Sequence, residues 1–175
     1  MVEISKAECP ATHDRIVAKL TDLSASFTLT THEPVLTSEE AAEVRGAPLA
    51  SGAKAILLKD CSKKLVREGV EFYLAVVSAA KRFSNKGFKS QSAVKNIRFA
   101  TQEEVFEVTG CITGAVPPFA SCFPKAEKVM LLVDSSLSEN EVINFNCGLR
   151  TVSCALTYTE YARVEGVSAT WNFTE

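Results

Sequence analysis

The chain's apolar positions switch between helical and strand spacing. Ile16, Leu20 and Leu23 line one face behind Thr12, a residue suited to cap a helix, and predict a helix over residues 13–20. The β-branched and aromatic run 26–31 predicts a strand, stopped at His32-Glu33-Pro34. Thr37-Ser38-Glu39-Glu40 fits a capping box, in which hydroxyl and carboxylate satisfy each other's free amides, and Gly46 ends that short helix. Ile56, Leu57 and Leu58 read as a strand buried on both faces. Residues 71–78 read as a second, antiparallel to it, the two forming the centre of the sheet. Residues 81–96 are basic and weakly helical, and 97–100 form a short strand. Thr101-Gln102-Glu103-Glu104 is a second capping box, opening a helix that ends at Gly110. Strands over 128–134, 142–146 and 151–156 follow, then a third capping box at Thr157-Tyr158-Thr159-Glu160 before a last helix. Strands with helices interspersed irregularly predict an α+β fold with a mixed sheet, not repeating β-α-β units.

Composition adds bounds to that pattern. With 175 residues, 46% hydrophobic and 23% charged, the expectation is one folded domain over 1–175, residues 1–24 being a helical extension packed on it. No apolar run approaches the roughly 20 residues of a membrane helix, and the N-terminus lacks the order of a signal peptide, so the expected location is cytoplasmic with no membrane partner. The six cysteines contain no C-x-x-C pair and only two histidines accompany them, which argues for reduced core thiols and no metal. Residues 54–98 hold eleven Lys and Arg against three acids, or +8, so the rest of the chain carries −10. Such a segment is either a solvated face or a surface attractive to phosphates.

Two features carry candidate chemistry. Lys54 stands at the mouth of an apolar strand, where it either snorkels to solvent or faces a partner. Some sixty residues on, Gly114-Ala115-Val116-Pro117-Pro118 is stiff at its prolines and approachable at its glycine. A lysine facing that loop is a place for an anionic or ester ligand. His32 is open to a ligand-touching role or a turn role, and Cys111, beside the loop, to nucleophile or packing.

Arg45-Gly46, Gly52-Ala53-Lys54-Ala55, Phe99-Ala100-Thr101 with Glu104, Gly110-Cys111, the loop from Gly114 to Phe119, and Phe145-Asn146-x-Gly148 follow in an order and spacing that resembles the YbaK/prolyl-tRNA editing domain family, over residues 25–165. The resemblance implies a mixed, mostly antiparallel, curled and partly barrel-like sheet with surrounding helices. It implies hydrolysis of the ester joining a wrong small amino acid, alanine, cysteine or one similarly small, to tRNA, most of all the tRNA for proline. The family's lysine falls on Lys54 and its GxxxP loop on Gly114 to Pro118, with Ala115 where serine is frequent. The expected catalytic set is Lys54 and Gly114; the substrate contacts are His32, Ala115, Val116, Pro117, Pro118 and Gly148; Lys81, Arg82, Lys86 and Lys89 would hold the tRNA backbone. No metal or cofactor is implied, no DNA, and a synthetase or multi-synthetase complex is the expected protein partner. An activated ester needs orientation and oxyanion donors more than a nucleophile. Editing exists because one methylene is worth only about 1–3 kcal/mol to a synthetase pocket. The reading from another class is a non-catalytic tRNA-binding or adaptor subunit, which would bind with strong salt dependence and turn nothing over.

Overall fold

The structure is a computed structural model and describes residues 10–175. Cys9 lies outside the described residues. Two sheets form the frame. The first has four strands in the order β4 (Ile97–Phe99), β2 (Ala53–Asp60), β3 (Phe72–Ser78), β5 (Val129–Val133); the second has three, β1 (Phe27–Thr31), β7 (Val152–Thr157), β6 (Val142–Leu149). Only β3 with β5 is parallel; the other pairings are antiparallel, so the fold is α+β, mixed and mostly antiparallel. β2 and β3 are the central pair of the larger sheet. The sheets do not close into a barrel. Outside the strand ladders they meet through one parallel bridge, Gly52 to Asn144.

β3 explains how one strand holds two cores. Phe72, Leu74 and Val76 join Leu57, Phe119, Ile143, Phe145 and Tyr161 between the sheets, while Tyr73, Ala75 and Val77 join Leu58, Phe88 and Phe173 on the other side. Strand side chains alternate by two, so every β3 residue is buried. Each large apolar side chain so buried contributes about 1.5–3 kcal/mol before entropy is counted.

Helices cover these layers: α1 (Ala11–Asp22), α2 (Ser38–Arg45), α3 (Asn85–Ser92), α4 (Gln102–Thr109), α5 (Ser135–Ser138) and α6 (Tyr158–Glu165). The capping boxes at Thr37–Glu40 and Thr101–Glu104 both form. The third is half made: the Thr157 hydroxyl accepts from the Glu160 amide, but the Glu160 carboxylate turns to Arg163 and the Ser26 amide. Thr12 is not a cap. α1 starts behind Pro10, and the buried Thr12 hydroxyl donates instead to the Thr109 carbonyl at 2.7 Å. The basic segment is helical only over α3, capped by Ser84. The C-terminal segment is pinned by buried Asp134, which accepts from the Phe173 amide and the Thr174 hydroxyl. Backbone bonds between Arg82 and Glu175 then fix the basic turn.

Candidate functional site

α2, the turn 47–52, the start of β2, the end of β4 and the loop 113–116 enclose a cavity of about 460 Å³. Arg45 and Lys54 line it, with Ser51, Gln102, Thr113, Gly114, Val116, Asn144 and Asn146; no Asp or Glu among the described residues does. A cavity with two cations and no acid favours an anionic or electron-rich guest.

Its wall is held by a continuous hydrogen-bond chain. The Asn146 amide nitrogen donates to the Gly114 carbonyl at 2.7 Å, so its oxygen is left to accept from Arg45 Nη2, also at 2.7 Å. Arg45 Nε donates to Ser153 Oγ at 2.7 Å. His32 Nδ1 donates to the Glu33 carbonyl, leaving Nε2 to accept from the Ser153 hydroxyl. Burial pushes the Arg45 guanidinium down to about 10. On the neighbouring wall Ser51 donates to the Pro48 carbonyl and must therefore accept from Asn144 Nδ2 at 3.1 Å. The Asn144 side-chain oxygen has no hydrogen-bond partner among the described residues.

The loop behaves unevenly. Gly114 has φ +91°, a conformation other residues adopt only under strain, and a Cβ there would meet only Arg150 Cδ at 3.8 Å. The Ala115 amide donates to the Ile112 carbonyl, whereas no acceptor among the described residues takes the amides of Gly114 or Val116. Two unspent donors therefore sit where the chain lines the cavity.

The residues expected from the sequence divide accordingly. Lys54, Gly114 and Val116 come together on the cavity; Lys54 is a half-buried residue, and its ammonium donates to the Lys81 carbonyl at 3.3 Å, at an exposed position, rather than to the loop. Ala115, Pro117 and Pro118 do not line it. They are buried at the loop's root, where the Pro118 carbonyl accepts from Tyr161. His32 is at the far end of the Ser153–Arg45 chain and reaches the cavity only through it. Gly148 is a packing residue: at φ +78° in an irregularity between Asn146 and Leu149, it lets α1 approach so closely that a Cβ would stand 3.0 Å from the His13 nitrogen. Lys81, Arg82 and Lys86 are exposed and Lys89 half-exposed, and no ion pair among the described residues involves any of the four. Arg98 and Lys59, by contrast, are both spent on Glu104. Cys111 is 1% exposed, and burial pushes its thiol up to about 11, so it is an inert core residue. Cys61, Cys111, Cys122, Cys147 and Cys154 are free thiols, all buried but Cys61, and no cluster among the described residues could hold a metal ion. Among the described residues no helix is long and apolar enough to cross a membrane.

Comparison with known proteins decides the family. The model of the aminoacyl-tRNA editing domain matches residues 32–164. The chain belongs to the aminoacyl-tRNA editing domain family. It is 34% identical over 166 residues to the multifunctional Ser/Thr-tRNA deacylase ProXp-y of Escherichia coli strain K12, covering 94% of this chain and 93% of that protein. It is 22% identical to the prolyl-tRNA editing protein ProX of Acetoanaerobium sticklandii, over 85% of this chain and 87% of that one. A solved structure described as a candidate trans-editing enzyme for prolyl tRNA synthetase shares its fold, with a TM-score of 0.78 and 20% identity over 94% and 97% of the two chains. As an editing domain the chain is a hydrolase whose substrate class is aminoacyl-tRNA.

Within this editing domain the residues that sequence reasoning missed as site members are Arg45, Asn144, Asn146 and Ser153. Arg45 and Asn146 stood inside the family motifs. Their function did not, because Arg45 lies 108 residues from Ser153 and 101 from Asn146 along the chain.

Proposed function

We propose that this protein removes mischarged small amino acids from tRNA, with serine and threonine ahead of alanine and cysteine, the tRNA for proline being the first carrier to test. The observation that carries the reading is a cavity lined by Lys54, Arg45, Gly114 and Val116, with no Asp or Glu among the described residues, where the Gly114 and Val116 amides have no acceptor among the described residues. The polar wall of Ser51, Thr113 and Asn144 favours an amino acid with a hydroxyl, in keeping with the name of the 34% identical relative. Water attacks the ester carbonyl carbon, the bond to the ribose oxygen breaks, the ribose recovers a hydroxyl and the amino acid leaves as its carboxylate. The Gly114 and Val116 amides supply donors to the developing oxyanion, where prealigned donors are each worth a 100- to 1000-fold effect in order of magnitude. Lys54 supplies positive charge to the ester or the terminal phosphate.

The test incubates the parent and Lys54→Ala with seryl-, threonyl-, alanyl- and cysteinyl-tRNA for proline and follows free amino acid. The parent should release at least one well above the buffer rate, and the variant should be about 100-fold slower at an unchanged melting temperature. No release by the parent overturns the reading; full rate in a folded variant removes Lys54 from the mechanism. The four unpaired cations also favour the adaptor reading, which predicts salt-sensitive tRNA binding without any release in this assay.

A further inference from the structure

Phe99 ends β4 as a residue 59% exposed, an unusual state for one so large and apolar, and it lines the cavity. Exposed apolar residues scattered singly need no explanation. This one is different because it is braced. Its ring stands 6.1 Å from that of Phe83, which in turn packs on Phe88 and Phe173, so a buried aromatic cluster ends in one ring held open to solvent. Pairing of Phe99 with Leu58 fixes its backbone. Three residues on, Gln102 lines the same cavity, and its amide has no partner among the described residues. The chain enters Phe83 directly from Lys81 and Arg82, whose charges are unpaired.

We infer that Phe99 and Gln102 form the seat of the nucleobase that ends the tRNA, Phe99 stacking on its face and Gln102 hydrogen-bonding its edge. A held aromatic ring offers a π-face with little ordering cost, and stacking on such a ring is a general device for unpaired bases. An amide is at once donor and acceptor, which matches the adjacent amino group and ring nitrogen of adenine, the base that ends every tRNA. Unpaired cations beside Phe83 suit the phosphates that precede that base. The seat would place the terminal ribose, and with it the ester, at the cavity mouth. The inference deepens the deacylase reading and rests on it for the identity of the guest.

The experiment measures binding of two uncharged RNA minihelices, one ending in CCA and one whose last residue is an abasic ribose, to the parent, Phe99→Leu, Phe99→Tyr and Gln102→Ala. Loss of the base should weaken the parent roughly 5- to 150-fold. Phe99→Leu should weaken the CCA end by that same factor and the abasic end hardly at all, while Phe99→Tyr should bind both as the parent does. Gln102→Ala should show a smaller loss, again confined to the CCA end. Equal binding of both ends by the parent, or equal losses on both ends in Phe99→Leu, overturns the inference. Release of amino acid from mischarged tRNA is followed in parallel, so the two readings fail separately. Base-dependent binding without release keeps the seat and sinks the deacylase, whereas release with base-independent binding does the reverse.

Discussion

The two cationic regions of the molecule are built in opposite ways. At the cavity wall Arg45 is locked by Ser153 and Asn146, Asn146 holds the Gly114 carbonyl, and burial has taken the guanidinium partly out of water. On the basic turn and α3, the side chains of Lys81, Arg82, Lys86 and Lys89 make no ion pair among the described residues and are mostly exposed. Charges fixed in a low-dielectric wall set geometry at the angstrom scale and cost desolvation to keep. Free charges in water set neither geometry nor identity; they attract a polyanion and give way to salt. On the proposed function, selection of the amino acid would fall to the first region and hold on the tRNA to the second.

The largest effect is expected from breaking the loop. Gly114→Val forces a β-branched residue to φ +91°, at a cost of roughly 1–2 kcal/mol in a loop with open space beside it. Single-turnover release should fall about 100-fold while circular dichroism is unchanged and the melting temperature drops by only about 2–8 °C. Next comes Arg45→Lys, which keeps the charge but not the fork that spans Ser153 and Asn146. A loss of about 10-fold, equal at low and high salt, would show that geometry and not charge is what this residue supplies. The quadruple change of Lys81, Arg82, Lys86 and Lys89 to Ala should lose about 10-fold at low salt and nothing at high salt. Its logarithmic salt slope should be flatter by roughly 3, near 0.7–0.9 for each phosphate contact removed.

The smallest effect is on stability. Arg98, with Lys59 and the Thr101 amide, holds the Glu104 carboxyl well below the usual carboxylate range, on a side chain 17% exposed. A depressed carboxylate contributes stability above its unfolded pKa, near 4.3, and loses it as pH falls through the folded value. Glu104→Gln should therefore cost about 1 kcal/mol at pH 7 in a urea melt, with the difference from the parent shrinking below about pH 4.

Much of this frame was legible in the residues. Caps at Thr37 and Thr101, the buried run of β3 and the lysine at the start of β2 are local signals, and all stand where the pattern put them. What was not legible depends on distant partners. Nothing near Gly148 announces that α1 packs against it, and nothing near Arg45 announces Ser153. The α5 helix is four residues long, too short to show a period, and depends on Asp134 for its cap. A single curled sheet was expected where two sheets meet at Gly52 and Asn144, because the alternation of buried residues is the same in both arrangements. Ala115, Pro117 and Pro118 share a motif with Gly114 yet serve its root, since spacing does not distinguish the tip of a loop from its anchor.

The division of labour is tested most directly by the ratio of seryl to alanyl release from the same tRNA, under single turnover, in the parent, in Arg45→Lys and in the quadruple alanine variant. The account predicts that the quadruple variant slows both substrates alike and leaves the parent's ratio unchanged at every salt concentration, while Arg45→Lys shifts the ratio by several-fold, less than the roughly 10–200-fold that one small group can command. A changed ratio in the quadruple variant, or an unchanged one in Arg45→Lys, would contradict it.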